Sequence, residues 1–425
     1  MLRNPEPREE RLGSHAREIS DRFGTPVLVF YERDLIESYD TLRAALDDHY
    51  PKSTVHVAVK ANFQPSILET FAERGAHAEA FAHGETIAAK RAGFDPEDIL
   101  LTGMAGNASH AGELLRDGAS RVLVDNMAEL EVIDELAADV DGQVDVLLRI
   151  NPTLEVPTHP HIATGTEESK FGLAVSSEAA ERAVSEVVES PDLRYLGLHC
   201  HIGSQIESPT PYAEAATSLL SFADTVERTT GERTRVLDLG GGFPIGYGSE
   251  VPPVERFVET IGDTLTEQCR EYGMELPELY LEPGRYLLGS AATFLGTVQT
   301  VKETPVKRFA VLDAGTNTVL LRQELPVLTP YVDAPQTEYD VVGPLCHSHD
   351  VFREQVSIPE LSPGDLVGID KVGAYTIGRE THMNAMPKPP IVMVRQSGAY
   401  ELLRERESCS DVIPERVERT GCHHS

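Results

Sequence analysis

The spacing of apolar residues changes repeatedly along the chain. From about residue 55 to 282, short β-branched runs alternate with segments whose apolar residues recur every three or four positions. The runs occupy 55–59, 76–81, 99–102, 121–124, 144–150, 196–199, 236–239 and 279–282. Amphipathic helical segments at 66–74, 127–138, 177–190, 211–229 and 254–272 lie between them. Strand alternating with helix implies parallel strands joined by crossover helices. Eight such units approach the size of a (β/α)8 TIM-type barrel, typically about 250 residues. A doubly wound open sheet is the alternative.

After Gly289 the pattern changes. Strand-like runs at 298–301, 309–312, 339–342, 366–369 and 391–394 are separated by proline and glycine turns, with little helical periodicity. They predict a C-terminal all-β domain. The run at 26–31 is also strand-like, precedes a helix near 34–46, and is expected to join that β domain. The predicted organisation is an N-terminal segment over 1–34, a barrel over 35–290, a β domain over 291–400, and a charged, disordered tail over 401–425.

Charge narrows the function. The chain has 425 residues, with 37 Lys and Arg against 69 Asp and Glu, a formal charge of −32. Such a surface repels phosphate backbones and anionic lipid, so neither nucleic acid nor membrane is an expected partner. No apolar stretch reaches the length of a membrane span, and the start lacks the apolar core of a signal peptide, which predicts a cytoplasmic protein. The dispersed acidity and scarcity of lysine suggest a halophilic enzyme. The five cysteines, Cys200, Cys269, Cys346, Cys409 and Cys422, form neither a disulfide framework nor a C-x-x-C zinc motif. Cys422-His423-His424 is read as a frayed terminus, and no metal is expected.

A barrel of this kind places its active site at the C-terminal ends of its strands. The first strand runs into Ala58-Val59-Lys60-Ala61-Asn62, and the sixth into His199-Cys200-His201-Ile202-Gly203-Ser204-Gln205. The seventh runs into Asp238-Leu239-Gly240-Gly241-Gly242-Phe243-Pro244, and the eighth into Glu282-Pro283-Gly284-Arg285. A partly buried Lys60 is expected to have a depressed pKa and to form a Schiff base with an aldehyde; the alternative is a lysine snorkelling to the rim. Gly240, Gly241 and Gly242 can turn backbone N–H groups toward a phosphate, with Ser204, Gly284 and Arg285 completing the cradle; alone, such a run is more often a tight turn. Glu282 can keep a pyridine nitrogen protonated, or pair with Arg285. His201 can stack on a flat ring, or be a satisfied core histidine. Together these parts specify pyridoxal 5′-phosphate.

In these motifs the chain resembles the barrel-type pyridoxal-phosphate decarboxylases that include diaminopimelate and ornithine decarboxylases. The resemblance spans about residues 24–395. It also includes Gly84-Glu85, Ser169-Lys170-Phe171-Gly172, Gly343-Pro344-Leu345-Cys346 and Gly373-Ala374-Tyr375. His161-Ile162-Ala163-Thr164-Gly165 and the 199–205 stretch are most similar to diaminopimelate decarboxylases. The resemblance implies that Lys60 carries the cofactor, His201 stacks on its ring and Glu282 pairs with the ring nitrogen. Ser204, the glycines, Gly284 and Arg285 would bind phosphate, and Tyr375 would reach the cofactor from the β domain. Cys346 would protonate the product carbon in the partner subunit of a homodimer. The implied reaction is decarboxylation of meso-diaminopimelate to L-lysine.

Two departures bear on substrate. His347 follows Cys346 where the resemblance calls for a glutamate that binds a distal ammonium, and an imidazole cannot replace a carboxylate there. The segment after Asp313-Ala314-Gly315 is altered, leaving Arg322 as the candidate carboxylate ligand beside Arg285. Glu79 and Ala82 stand where aspartate and serine are common. Alternatives are decarboxylation of another amino acid, such as a carboxylated polyamine precursor, an ornithine-like amino acid or a siderophore-pathway intermediate, an amino-acid racemase, or a regulatory homologue without cofactor. Cys346 itself has two other readings, a buried inert thiol or part of a metal loop with His347, His349 and Asp350.

Overall fold

A computed structural model describes residues 8–103, 108–154, 169–319 and 324–414. Among these the chain divides into two compact units. One comprises Glu32–Ala291 with Gly373–Gly378; the other comprises the remainder.

The first unit is a closed barrel. Its parallel strands are β2 (Ser53–Ala58), β3 (His77–Ala80), β4 (Ile99–Leu101), β5 (Arg121–Val124), β6 (Val144–Asn151), β8 (Leu193–His199), β9 (Val236–Asp238) and β10 (Glu278–Leu281), numbered in chain order. They run in the order β5-β4-β3-β2-β10-β9-β8-β6, and β5 also pairs with β6, which closes the ring and excludes the open sheet. The two-residue strand β7 (Leu173–Ala174) pairs with the last two residues of β6, Ile150 and Asn151. Inside, Leu100, Leu123, Leu147, Leu196, Val236 and Tyr280 form one packed layer. Each fully buried leucine in such a layer contributes about 1.5–3 kcal/mol. The polar residues at the C-terminal strand ends lie further along the strands than this cluster.

The second unit is a nine-stranded sheet. It contains β1 (Val27–Tyr31), which pairs antiparallel with β11 (Ala292–Glu303) and parallel with β17 (Ile391–Val394). The other strands are β12 (Arg308–Leu312), β13 (Val327–Leu328), β14 (Gln336–Val342), β15 (Val351–Pro359), β16 (Leu366–Asp370) and β18 (Tyr400–Arg404). Helix Arg8–Phe23, which the apolar pattern does not announce, packs Leu12, Ala16 and Ile19 against Val27, Val29, Leu295 and Val392. Those three positions are one face of a helix, spaced four and three apart.

The charged C-terminal stretch is ordered further than expected. Tyr400–Arg404 adds to β17 as an antiparallel strand, and Arg404 forms a paired contact with the buried Glu380. Backbone pairing and a buried carboxylate partner outweigh the polar composition. Cys422, His423 and His424 lie outside the described residues. Among the described residues no helix is long and apolar enough to cross a membrane.

Candidate active site

Lys60 stands on a single helical turn, Val59–Ala61, directly after β2. Val59 and Ala61 are buried, and the lysine side chain reaches out at 39% exposure. Its Nζ donates to Glu79 Oε2 at 2.6 Å. Glu79, on β3 and 2% exposed, accepts from Thr102 Oγ1 through its other oxygen at 2.8 Å. The expected depression of the Lys60 pKa is therefore reversed. Burial pushes it down, but the carboxylates of Glu79 and Glu282 overcome that effect and hold the amine above its ordinary range. The resting group is an ammonium, and Glu79 is the carboxylate placed to share its proton.

His201 follows β8 by two residues. Its Nδ1 accepts the Gly241 N–H at 3.3 Å, which leaves the proton of the neutral ring on Nε2. Burial first, then Lys60 and Arg149, lower its pKa to about 3. The imidazole is thus a neutral flat surface at physiological pH.

The three glycines do not present three amides. Gly240 N–H goes to Asp238 Oδ1 at 2.8 Å and Gly241 N–H to His201, so the amide left for a ligand is that of Gly242. The glycines serve close approach instead. A methyl group on Gly241 would lie 2.3 Å from the Glu282 carbonyl oxygen, and one on Gly242, at φ +100°, 2.4 Å from that of Gly203. Tyr212 Oη, donating to Gly241 O at 2.9 Å, and Ile206 N–H, donating to Gly242 O at 3.1 Å, hold the loop in place.

Arg285 begins a short helix after β10 and is 8% exposed. It donates to Ser204 Oγ at 3.3 Å and to Tyr247 Oη at 2.8 Å, so Ser204 and Arg285 already meet. Its guanidinium carbon stands 4.9 Å from the centroid of the Tyr375 ring. Tyr375 belongs to the barrel unit, although its neighbours in sequence belong to the sheet. Its N–H donates to Ala61 O at 2.7 Å, one residue from Lys60. A methyl group on Gly284 would meet Ala61 Cβ at 2.9 Å and Tyr375 Oη at 3.2 Å, so only glycine fits between them.

Glu282 is 5% exposed, and its Oε1 has no hydrogen-bond partner among the described residues. Burial raises its pKa, but the His199 ring facing it and the Lys60 ammonium reverse this and keep it ionised. It does not pair with Arg285. The polarity of the site suits pyridoxal phosphate: an amine at one end, a buried ionised carboxylate, a neutral flat imidazole, and a small-residue cradle beside a guanidinium and a hydroxyl. Glu79, His199 and Asp238 were not singled out as site residues by the sequence. Their signal was present, since Glu79 departs from the aspartate usual there and the other two open the strand-end motifs.

In the sheet unit, Cys346 lies on an exposed loop, so it is not a buried thiol. Its Sγ accepts from Asn384 Nδ2 at 3.1 Å. His347 and His349 are exposed beside it. Asp350 is buried and accepts from Thr316 N–H and Leu345 N–H, both at 2.7 Å. Asp350 therefore staples the loop and is spent as a metal ligand. Arg322 and the 161–165 stretch lie outside the described residues.

Comparison with known proteins agrees with this geometry. The sequence profile of the family described as "Pyridoxal-dependent decarboxylase, pyridoxal binding domain" matches residues 34–289. The diaminopimelate decarboxylase of Methanothermobacter thermautotrophicus is 34% identical over 94% of each chain. The crystal structure of diaminopimelate decarboxylase from M. jannaschii in complex with L-lysine has a TM-score of 0.88 at 30% identity, covering 95% of this chain and 94% of that one. The enzyme of the same name from Helicobacter pylori, also complexed with L-lysine, has a TM-score of 0.85 at 28% identity, covering 93% of this chain and 98% of that one. The chain belongs to the pyridoxal-dependent decarboxylases, carboxy-lyases that use pyridoxal 5′-phosphate, and within them to the diaminopimelate decarboxylase family.

Proposed function

We propose that this protein decarboxylates meso-diaminopimelate to L-lysine and CO2. The observation that carries the chemistry is the Lys60–Glu79 pair at 2.6 Å, with the buried carboxylate of Glu282 acting on the same amine. Full-length similarity to diaminopimelate decarboxylases supports the substrate.

Lys60 would hold the cofactor's aldehyde carbon, and Glu79, which accepts from its Nζ at 2.6 Å, would hold the amine's proton. Bound pyridoxal phosphate supplies an electron sink for the bond that loses CO2. Glu282 would keep the ring nitrogen protonated, and His201 would cover one ring face. Ser204, Gly242, Gly284 and Arg285 bind the phosphate, with Tyr375 beside them and Gly240 and Gly241 shaping the cradle. Arg285 and Arg322 serve substrate carboxylates. The partner subunit's Cys346 donates the proton that replaces CO2 on the α carbon. The protein is accordingly read as a cytoplasmic homodimer with shared sites, adapted to high salt, and with no role for nucleic acid or membrane.

His347 favours a second reading, in which a different amino acid is the substrate, because an imidazole in place of glutamate weakens recognition of a distal ammonium. Product analysis separates the two. Protein purified in high salt with pyridoxal phosphate is incubated with meso-diaminopimelate, ornithine, lysine, arginine and carboxynorspermidine. L-lysine formed from diaminopimelate is the expected result. A bound cofactor band without turnover of diaminopimelate would remove the substrate assignment and leave the decarboxylase.

A further inference from the structure

Three buried acid–base groups converge beneath the proposed ring-nitrogen site. His199 ends β8, Asp238 ends β9, and Glu282 follows β10, with His199 directly across from Asp238 in the sheet. They are 1%, 0% and 5% exposed. One atom from each lies within 4.8 Å of the other two. His199 Nε2 is 3.5 Å from Glu282 Oε1. Asp238 Oδ1 accepts the Gly240 N–H, whereas Asp238 Oδ2, Glu282 Oε1 and both His199 nitrogens have no hydrogen-bond partner among the described residues.

Two carboxylates this close and this buried cannot both ionise cheaply. The surrounding charges decide which one keeps a proton. The His199 ring facing Glu282 and the Lys60 ammonium favour its ionised form. Asp238 feels burial first and then the charge of Glu282, with Glu79 adding to it, and its pKa is raised well above the carboxylate range. Burial, aided by Arg149, favours neutral His199, although Glu282 opposes this. These directions favour the proton on Asp238 and a neutral His199. A divalent cation is the competing occupant of three such groups, but Lys60 and Arg149 already exert positive potential there.

We propose that Asp238 and His199 are positioning residues for Glu282: Asp238 as a neutral carboxylic acid and His199 as a neutral imidazole each donate a hydrogen bond to it, leaving one carboxylate oxygen aimed at the cofactor's ring nitrogen. This rests on the role assigned to Glu282 above. It makes asparagine an adequate replacement for Asp238, because the amide keeps both the acceptor for Gly240 and a donor for Glu282.

The test compares wild type with Asp238→Asn, Asp238→Ala, His199→Gln and Glu282→Gln, each loaded with pyridoxal phosphate labelled with 15N in the ring. Readouts are the ring-nitrogen shift, cofactor affinity, and the infrared carbonyl stretch of a protonated carboxylic acid. Wild type is expected to show the infrared band and Asp238→Asn to lose it while keeping the ring-nitrogen shift. Asp238→Ala is expected to move that shift and weaken cofactor binding about tenfold, the effect of one lost hydrogen bond to a charged group. His199→Gln, which retains a donor, should move the shift less than Asp238→Ala.

The infrared comparison uses only wild type and the isosteric variant, so misfolding of the alanine variant would not prevent a decision. No protonated-carboxyl band in wild type, Asp238→Asn as damaging as Asp238→Ala, or stoichiometric metal in the purified protein would each overturn the proposal. An unmoved ring-nitrogen shift in Glu282→Gln would instead overturn the role of Glu282 itself.

Discussion

A methyl group at Gly241 has nowhere to go, since the Glu282 carbonyl oxygen would lie 2.3 Å away. Gly241→Ala is expected to lower stability by about 1–3 kcal/mol and to weaken cofactor binding, read by thermal melting of the cofactor-free protein and by cofactor titration. A variant that melts and binds as wild type would show that the glycine is not needed for close packing. The contact between Asn384 and Cys346 gives a second test at this scale. Removing the side-chain amide in Asn384→Ala should change the alkylation rate of Cys346, followed on its own peptide by mass spectrometry; an unchanged rate means that the 3.1 Å contact does nothing to the thiol. At this scale the sequence named types better than states. Lys60 was legible as an unusual lysine after an apolar strand, but the sign of its pKa shift was not. That sign depends on Glu79, which is nineteen positions away in sequence and 2.6 Å away in space. The glycine run likewise showed where a cradle would form, yet not that two of its amides would be used internally.

His56 in β2 exposes a cost built into the barrel wall. It is fully buried between Tyr280 and His77, with ring centroids 4.5 and 5.2 Å away, and neither nitrogen has a partner among the described residues. Burial, with a contribution from His77, lowers its pKa to about 3. The folded protein then binds fewer protons than the unfolded chain between about pH 3 and 6.5, so this contribution to stability is present above pH 6.5 and is lost as the pH falls. His56→Phe is expected to flatten the acid side of the stability profile by up to about 1.4 kcal/mol per pH unit, measured by urea unfolding at several pH values. Identical slopes for the variant and wild type would show that the histidine accepts a proton in place. Most barrel strands were legible as short apolar runs, such as Ile99-Leu100-Leu101 in β4 and Val122-Leu123-Val124 in β5, whereas β3 alternates alanine with His77 and Glu79. β15 was not legible, because Arg353-Glu354-Gln355 interrupts its apolar residues with exposed or half-buried polar ones at the edge of its sheet. Two short helices, His83–Arg91 and Ala108–Arg116, also escaped, each being too brief to establish a period.

Across the whole molecule the dominant quantity is the charge of −32. Self-repulsion on this scale is long-ranged in dilute buffer and confined to about 3 Å at 1 M salt. The melting temperature is therefore expected to rise from dilute buffer to molar KCl; a flat or falling curve would show that local ion pairs, such as Arg194 with Asp145, already balance the surface. The barrel and its mouth were readable at this level because parallel strands impose one functional face, and four strand-end motifs converged on it. The assignment of Tyr375 to the barrel unit was not readable, since it depends on a six-residue excursion of the chain. Strand β1 has a consequence of another kind. Its hydrogen-bonding partners, β11 and β17, are translated only after every strand of the barrel. As the polypeptide emerges from the ribosome, Val27-Leu28-Val29-Phe30-Tyr31 is an apolar strand with both edges open until the barrel's sequence has passed. Synthesis order thus makes the barrel the first unit able to close, and leaves this pentapeptide without its pairing partners until then.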